Sequence, residues 1–217
     1  TEEQLTLENL QKGTREEEIA IQEAKVSNAK IALTQAKNEV VNIINDSFTK
    51  SDDAIRNKLD TILSNPISNN PRLNFNTTNS LAKNKIEIER FSVETILLMW
   101  DESLSQVTAD SDLFLKILEA KDNLTAIKEI LEQASIAVNS ALVSGDITAA
   151  TITTYRSDIS TARTNLNTAF SNVLTKEEKL NNALSNLTIE ENELALLEAG
   201  TVEEQVQAQH AKVDQAE

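Results

Sequence analysis

The stretch TAATITTYRSDISTARTNLNTAFSNVLTKEEKLNNALSNLTIEENELALLEA, residues 148–199, contains neither glycine nor proline and returns to an apolar residue at every seventh position. Ile152, Ile159, Leu166, Val173, Leu180, Leu187 and Leu194 stand seven apart. On a helix that spacing draws one narrow apolar stripe, the kind that two helices bury against each other in a coiled coil. A helix of about fifty residues is roughly 75 Å long, so the stripe needs a comparably long partner. The other end of the chain supplies one. Ile19, Val26, Leu33 and Val40 are also seven apart, with Ala29, Ala36 and Ile43 three residues after the last three.

Between these two segments the punctuation is sparse. Gly13, Pro66, Pro71, Gly145 and Gly200 are the only glycines and prolines in 217 residues. Proline removes a backbone donor and disfavours the helical region for its predecessor, so the run NPISNNPRLNFNTT, Asn65 to Thr78, reads as a loop. Four main helices are expected: about Thr14 to Ser64, about Asn79 to Val107, from the cap-rich Thr108–Asp112 to about Leu142, and about Thr148 to Ala199. The inner two are roughly 45–50 Å long. The arrangement that accommodates these lengths is all-α: a long antiparallel coiled-coil hairpin, widened into a four-helix bundle at its distal end. Residues 1–48 and 149–217 form the arms, and 49–148 the inserted helices. The expected core of the insert is Phe91, Val93, Ile96, Leu97, Trp100 and Leu104 on one helix. On the other it is Leu113, Phe114, Ile117, Leu118, Leu124, Ile127, Ile130, Leu131 and Val138.

The two arms repeat one another at an offset of 187: Leu7, Leu10, Gly13, Thr14, Glu16, Glu17, Gln22, Ala24, Lys25 and Val26 recur as Leu194, Leu197, Gly200, Thr201, Glu203, Glu204, Gln209, Ala211, Lys212 and Val213. In each copy a glycine can stop one helix while a threonine, three residues before a glutamate, opens the next with a capping box. Setting Gly13 level with Gly200 makes facing residue numbers total 213. That register pairs Ile19 with Leu194, Val26 with Leu187, Leu33 with Leu180 and Val40 with Val173. It also brings Ala29 to Leu184 and Ile43 to Phe170.

Composition removes many functions. With no cysteine and one histidine, His210, the chain offers no thiol nucleophile, no Cys/His zinc site and no di-iron pair of Glu-x-x-His motifs. A net charge of −15 repels phosphates and anionic lipid, so no nucleic-acid partner is expected. The longest apolar run, Ile96 to Trp100, is far short of the ~20 residues that span a bilayer. We expect no catalytic residue, no metal and no cofactor. The only methionine is Met99, so the chain is expected to be a piece of a longer product. His210 beside Gln209 reads as a solvated side chain, and Glu16, Glu17 and Glu18 as the acidic first turn of a helix. Trp100 and Phe114 read as core rather than as a ligand pocket. The segment left for a partner is the loop, with Asn69, Asn70, Arg72 and Phe75, together with Gly145 in the second connection at the same end.

The helix break Gly13-Thr14-Arg15-Glu16-Glu17-Glu18-Ile19-Ala20 and its return copy Glu193-Leu194-Ala195-Leu196-Leu197-Glu198-Ala199-Gly200-Thr201, each beside a coiled coil, resemble the α-helical hairpin of membrane fusion proteins. These are the HlyD-like periplasmic adaptor subunits of efflux pumps and secretion systems. The resemblance covers both arms, about half of the chain. It implies a non-catalytic, extracytoplasmic hairpin whose parent is anchored in the inner membrane. It also implies partnership with an inner-membrane transporter of ABC or RND type, an outer-membrane channel docked at the tip, and a homo-oligomeric assembly. Where the family has a short turn with an Arg-Leu contact motif, this chain has the inserted helices, so tip docking maps onto no residue here. The other readings are an extracytoplasmic four-helix sensor, which predicts transmembrane helices on either side instead of lipoyl-like halves, and a structural rod.

Overall fold

The computed structural model describes residues 2–11, 16–145, 147–199 and 203–216, so the breaks expected at Gly13 and Gly200 lie outside the described residues. The fold is all-α. Its elements are α1 (Glu2–Gln11), α2 (Glu16–Asp52), a π-helical turn (Asp53–Lys58), a 3-10 turn (Leu59–Ile62), the short strands β1 (Leu63–Ser64) and β2 (Arg72–Leu73), α3 (Ser80–Leu104), α4 (Leu113–Asn139), α5 (Ala149–Ala199) and α6 (Glu203–Ala216). Side chains set three of the helix starts. Asn79 accepts from the Ala82 amide at 2.9 Å, Asp112 from Leu115 at 3.1 Å and Thr148 from Thr151 at 3.1 Å, each satisfying a donor that the first turn leaves free. No helix among the described residues is long and apolar enough to cross a membrane.

The chain divides into two compact units, Thr1–Ala36 with Leu180–Glu217, and Lys37–Lys179. In the first, α1 packs on α6, and the early turns of α2 meet the late turns of α5. The Gln22 amide donates to the Glu190 backbone carbonyl at 3.0 Å and to its carboxylate at 2.8 Å. Those two numbers total 212, one from the expected register. Lys30 adds an exposed ion pair to Glu191. Gln209 on α6 repeats the Gln22 arrangement, donating to the carbonyl and carboxylate of Glu3 on α1. Gln22 and Gln209 are 187 apart, and so are Glu3 and Glu190. The sequence repeat is therefore a structural one, in which exchanging the copies exchanges the two contacts.

Val26, Ala29, Ala36 and Leu180 are buried in this unit, while Ile19, Leu33, Leu187 and Leu194 are half-buried. Leu184, expected in the seam, is instead 43% exposed. Along α5 the second buried track lies three residues after the first rather than four. Ala162 and Ala169 are buried and Ala183 half-buried, while Phe170 is only half-buried. Small side chains let two helix axes approach, and a leucine in that track would hold them apart.

In the second unit, α2, α3, α4 and α5 are antiparallel neighbours in sequence order, and α5 closes back on α2. Phe48 of α2 meets Trp100 of α3 edge-on at 5.6 Å, and beyond the end of α2 Arg56 of the π turn meets Glu94 and Asp60 of the 3-10 turn meets Arg90. Across α4 and α5, Lys121 pairs with Glu177, Lys128 lies 4.9 Å over the Phe170 ring, and Arg163 pairs with Glu132. Glu39 of α2 binds Lys176 and Lys179 of α5, and Lys58 at the end of the π turn binds Asp158 of α5. The core is Ile44, Ile55, Leu59, Ile86, Leu97, Trp100, Ile117, Leu124, Ile127 and Ile130, with Leu166 and Val173 from α5. Three residues expected there, Phe91, Phe114 and Leu118, are exposed.

The first long helix was expected to remain α-helical to Ser64. It instead widens into the π turn and then tightens, with the Leu59 amide bonding back to both Ala54 and Ile55 carbonyls. This stretch carries the buried charges. Arg90, fully buried on α3, makes a two-point bond to Asp60 at 2.6 and 2.8 Å and a third to Glu94 at 3.0 Å. Glu94 also accepts from Arg56 at 2.7 Å. Burial alone would favour neutral Arg90, yet the Asp60 and Glu94 carboxylates outweigh it and raise the pKa. Burial likewise pushes Glu94 up, and the two guanidiniums more than reverse this, leaving it below the ordinary carboxylate value.

Candidate functional site

The loop from Asn65 to Thr78 has more structure than a solvated connector. Asn65 adopts the left-handed region at φ 54°, a conformation asparagine tolerates better than other non-glycine residues. Its carbonyl accepts from the Ser68 amide at 3.0 Å and from the Ser68 hydroxyl at 2.8 Å. The chain thereby reverses, and β1 pairs antiparallel with β2, Leu63 opposite Leu73 and Ser64 opposite Arg72.

A single carboxylate fastens this hairpin to α3. Glu87 accepts from the Leu73 backbone amide at 3.0 Å and from the Arg72 guanidinium at 2.8 Å. Asn74 holds the base of the loop, donating to the Thr61 carbonyl at 2.8 Å and to the Tyr155 hydroxyl at 3.2 Å. The second connection is stitched to the first. Thr77 bridges to Ala141, Leu142 donates to the Asn76 carbonyl at 2.8 Å, and Thr78 donates to Ser140 at 3.1 Å. Backbone bonds of this kind turn two loops into one surface at one end of the bundle, with Ile67, Leu142 and Val143 exposed on it.

The expected contact residues separate into three places. Asn69, Asn70 and Arg72 come together along an open groove of about 690 Å³, whose other wall is Asn84, Glu87, Ile88 and Phe91 of α3. Phe75 is not available for contact. It is buried, with its ring 6.0 Å from that of Tyr155, and it anchors the loop to α5. Gly145 is exposed in the second connection and does not line the groove, and a Cβ there would meet nothing within 4 Å. The α3 wall was not anticipated. Its signal in the sequence is the apolar pair Ile88 and Phe91 on the face of α3 opposite Ile86 and Val93, a second stripe on a helix that already has one.

The groove combines amides, one guanidinium and an apolar floor, which suits recognition of a polar, hydrogen-bonding surface. Arg72 and Glu87 neutralise each other, so the groove itself carries little net charge. Among the described residues no cluster of three or more His, Cys, Asp or Glu side chains is placed to hold a metal. His210 is exposed on α6. No protein-family model, curated protein or solved structure matches this chain.

Proposed function

We propose that this chain is the non-catalytic helical-hairpin segment of an HlyD-like membrane fusion protein, an extracytoplasmic adaptor of an efflux or secretion system. In that role it links an inner-membrane transporter of ABC or RND type to an outer partner and works as a homo-oligomer. The observation that carries the reading is the doubled Gln–Glu contact. Gln22 with Glu190, and Gln209 with Glu3, tie outgoing and returning helices together at both copies of the repeated motif on which the family resemblance rests. The stitched end of the bundle takes the place of the family's short tip, offering Asn69, Asn70, Arg72 and the exposed Ile67, Leu142 and Val143 to a partner.

The coding sequence on either side of this segment provides the test. Two β-rich halves of a lipoyl-like domain are the expected result. Transmembrane helices immediately outside both ends would overturn the adaptor reading in favour of the sensor, as would a small ligand that raises the melting temperature by binding the folded bundle.

A further inference from the structure

Helix α3 is apolar on two faces, and the bundle uses only one of them. Ala82, Ile86, Val93, Leu97 and Trp100 are buried in the core. On the opposite side Leu81, Ile88, Phe91, Leu98 and Met99 face outward, with Ile88 73% and Met99 66% exposed. At 3.6 residues per turn these five fall on one stripe, and the positions between them are Asn84, Ser92 and Thr95. Between Ile88 and Met99, about 17 Å of helix, no charge interrupts the stripe, in a chain where a quarter of all residues are charged. A contiguous apolar surface of that length marks a contact site.

We propose that this face is a self-association surface, on which α3 of one chain packs antiparallel against α3 of a second copy. The arrangement of charge selects this occupant. Copies of a chain carrying −15 repel one another, so they approach most easily where the surface carries no charge. At the ends of the stripe the charges are opposite: exposed Lys85 towards the N-terminus of α3, exposed Glu102 towards its C-terminus, and neither side chain is engaged in an ion pair. An antiparallel pair centred between Val93 and Glu94 sets Ile88 level with Met99 of the second copy and Lys85 level with its Glu102. A parallel pair would place Lys85 beside Lys85. The contact is isologous, as a two-fold dimer requires, and it covers the Ile88 and Phe91 floor of the groove while leaving Asn69, Asn70 and Arg72 at its edge. One helix face is smaller than a standard interface, so the dimer is weak, populated at about 100 μM rather than about 1 μM.

The test uses the intact 217-residue chain and its single methionine. Sedimentation equilibrium is expected to show a monomer–dimer transition, and the methyl resonance of Met99 to shift in step with the dimer fraction. Ile88→Asp, at an exposed position that leaves the helical fold intact by circular dichroism, should weaken dimerisation at least about tenfold. Lys85→Glu and Glu102→Lys should each weaken it several-fold, and the two together should restore it. A chain that stays monomeric throughout, or a dimer that forms while the Met99 signal does not move, overturns the proposal. Failure of the double reversal to restore what each single change lost overturns the antiparallel pairing. These outcomes do not depend on the adaptor reading, which the flanking sequence tests separately.

Discussion

The two units bury the same kinds of residue to different depths. In the Lys37–Lys179 unit, Leu97, Leu124 and Leu166 are fully enclosed, whereas in the other unit Leu187 and Leu194 of the same heptad series are only half-covered. A side chain inside four helices has neighbours on every side, while one between two helices keeps a flank in water. Helix composition alone therefore does not set burial; the number of helices around each layer does. The sparse unit compensates with polar closure. Buried Gln22 and Gln209 each reach a backbone carbonyl and a carboxylate, fixing alignment where apolar layers a heptad apart would be interchangeable.

The sharpest way to break the comparison is to remove a charge from the bundle. Arg90→Ala leaves the largely buried Asp60 carboxylate without its cation and Glu94 with Arg56 alone, and should cost about 3–5 kcal/mol in denaturant unfolding, the largest single effect expected. The same cluster sets an acid limit. The carboxyl pKa of Glu94 is lowered on folding, so its contribution is complete above the unfolded value, about 4.3, and is lost as the pH falls through the lower folded value. The melting temperature should accordingly hold steady from neutral pH down to that range and fall below it.

Next in size come matched leucine truncations. Leu124→Ala in the bundle should cost about 2–5 kcal/mol, and Leu187→Ala in the two-helix seam about 1 kcal/mol, because half of its surface is already hydrated. Equal costs would show that half-burial at Leu187 stabilises as much as full enclosure at Leu124. The smallest effects test the repeat. Gln22→Ala and Gln209→Ala should each cost about 1 kcal/mol and agree within a few tenths, since the two amides make equivalent contacts.

Much of this was legible in the sequence. The cap-rich Thr108–Asp112 announced a helix start through its side-chain chemistry, Asn79 and Thr148 were reached as the bounds of the breaker-free intervals, and the seven-residue spacing of Ile159, Leu166, Val173 and Leu180 marked a stripe that is indeed buried. The second track of α5 was misread because the register was taken from the two glycines: a total of 213 set Leu184 opposite Ala29, whereas the Gln22–Glu190 contact totals 212, the total that brings Ala183 to that level. Phe91, Phe114 and Leu118 were misplaced for another reason. Periodicity identifies apolar faces but does not say which face turns inward when a helix has two. The π turn and the Arg90 cluster left no local signal, since Asp60, Arg90 and Glu94 look like ordinary surface charges until the fold brings them together. In the candidate site, Asn69, Asn70 and Arg72 could be read from loop chemistry, whereas their opposite wall depends on Glu87 drawing β2 onto α3.

Trp100, the sole indole of the chain, sits sealed against Phe48 within the bundle, and the other unit contains no Phe, Tyr or Trp among its described residues. Fluorescence on heating therefore reports the melting of one unit alone, while far-ultraviolet ellipticity sums over both. If the two-helix seam loosens first, the ellipticity curve will begin to fall while the emission spectrum still holds its native colour.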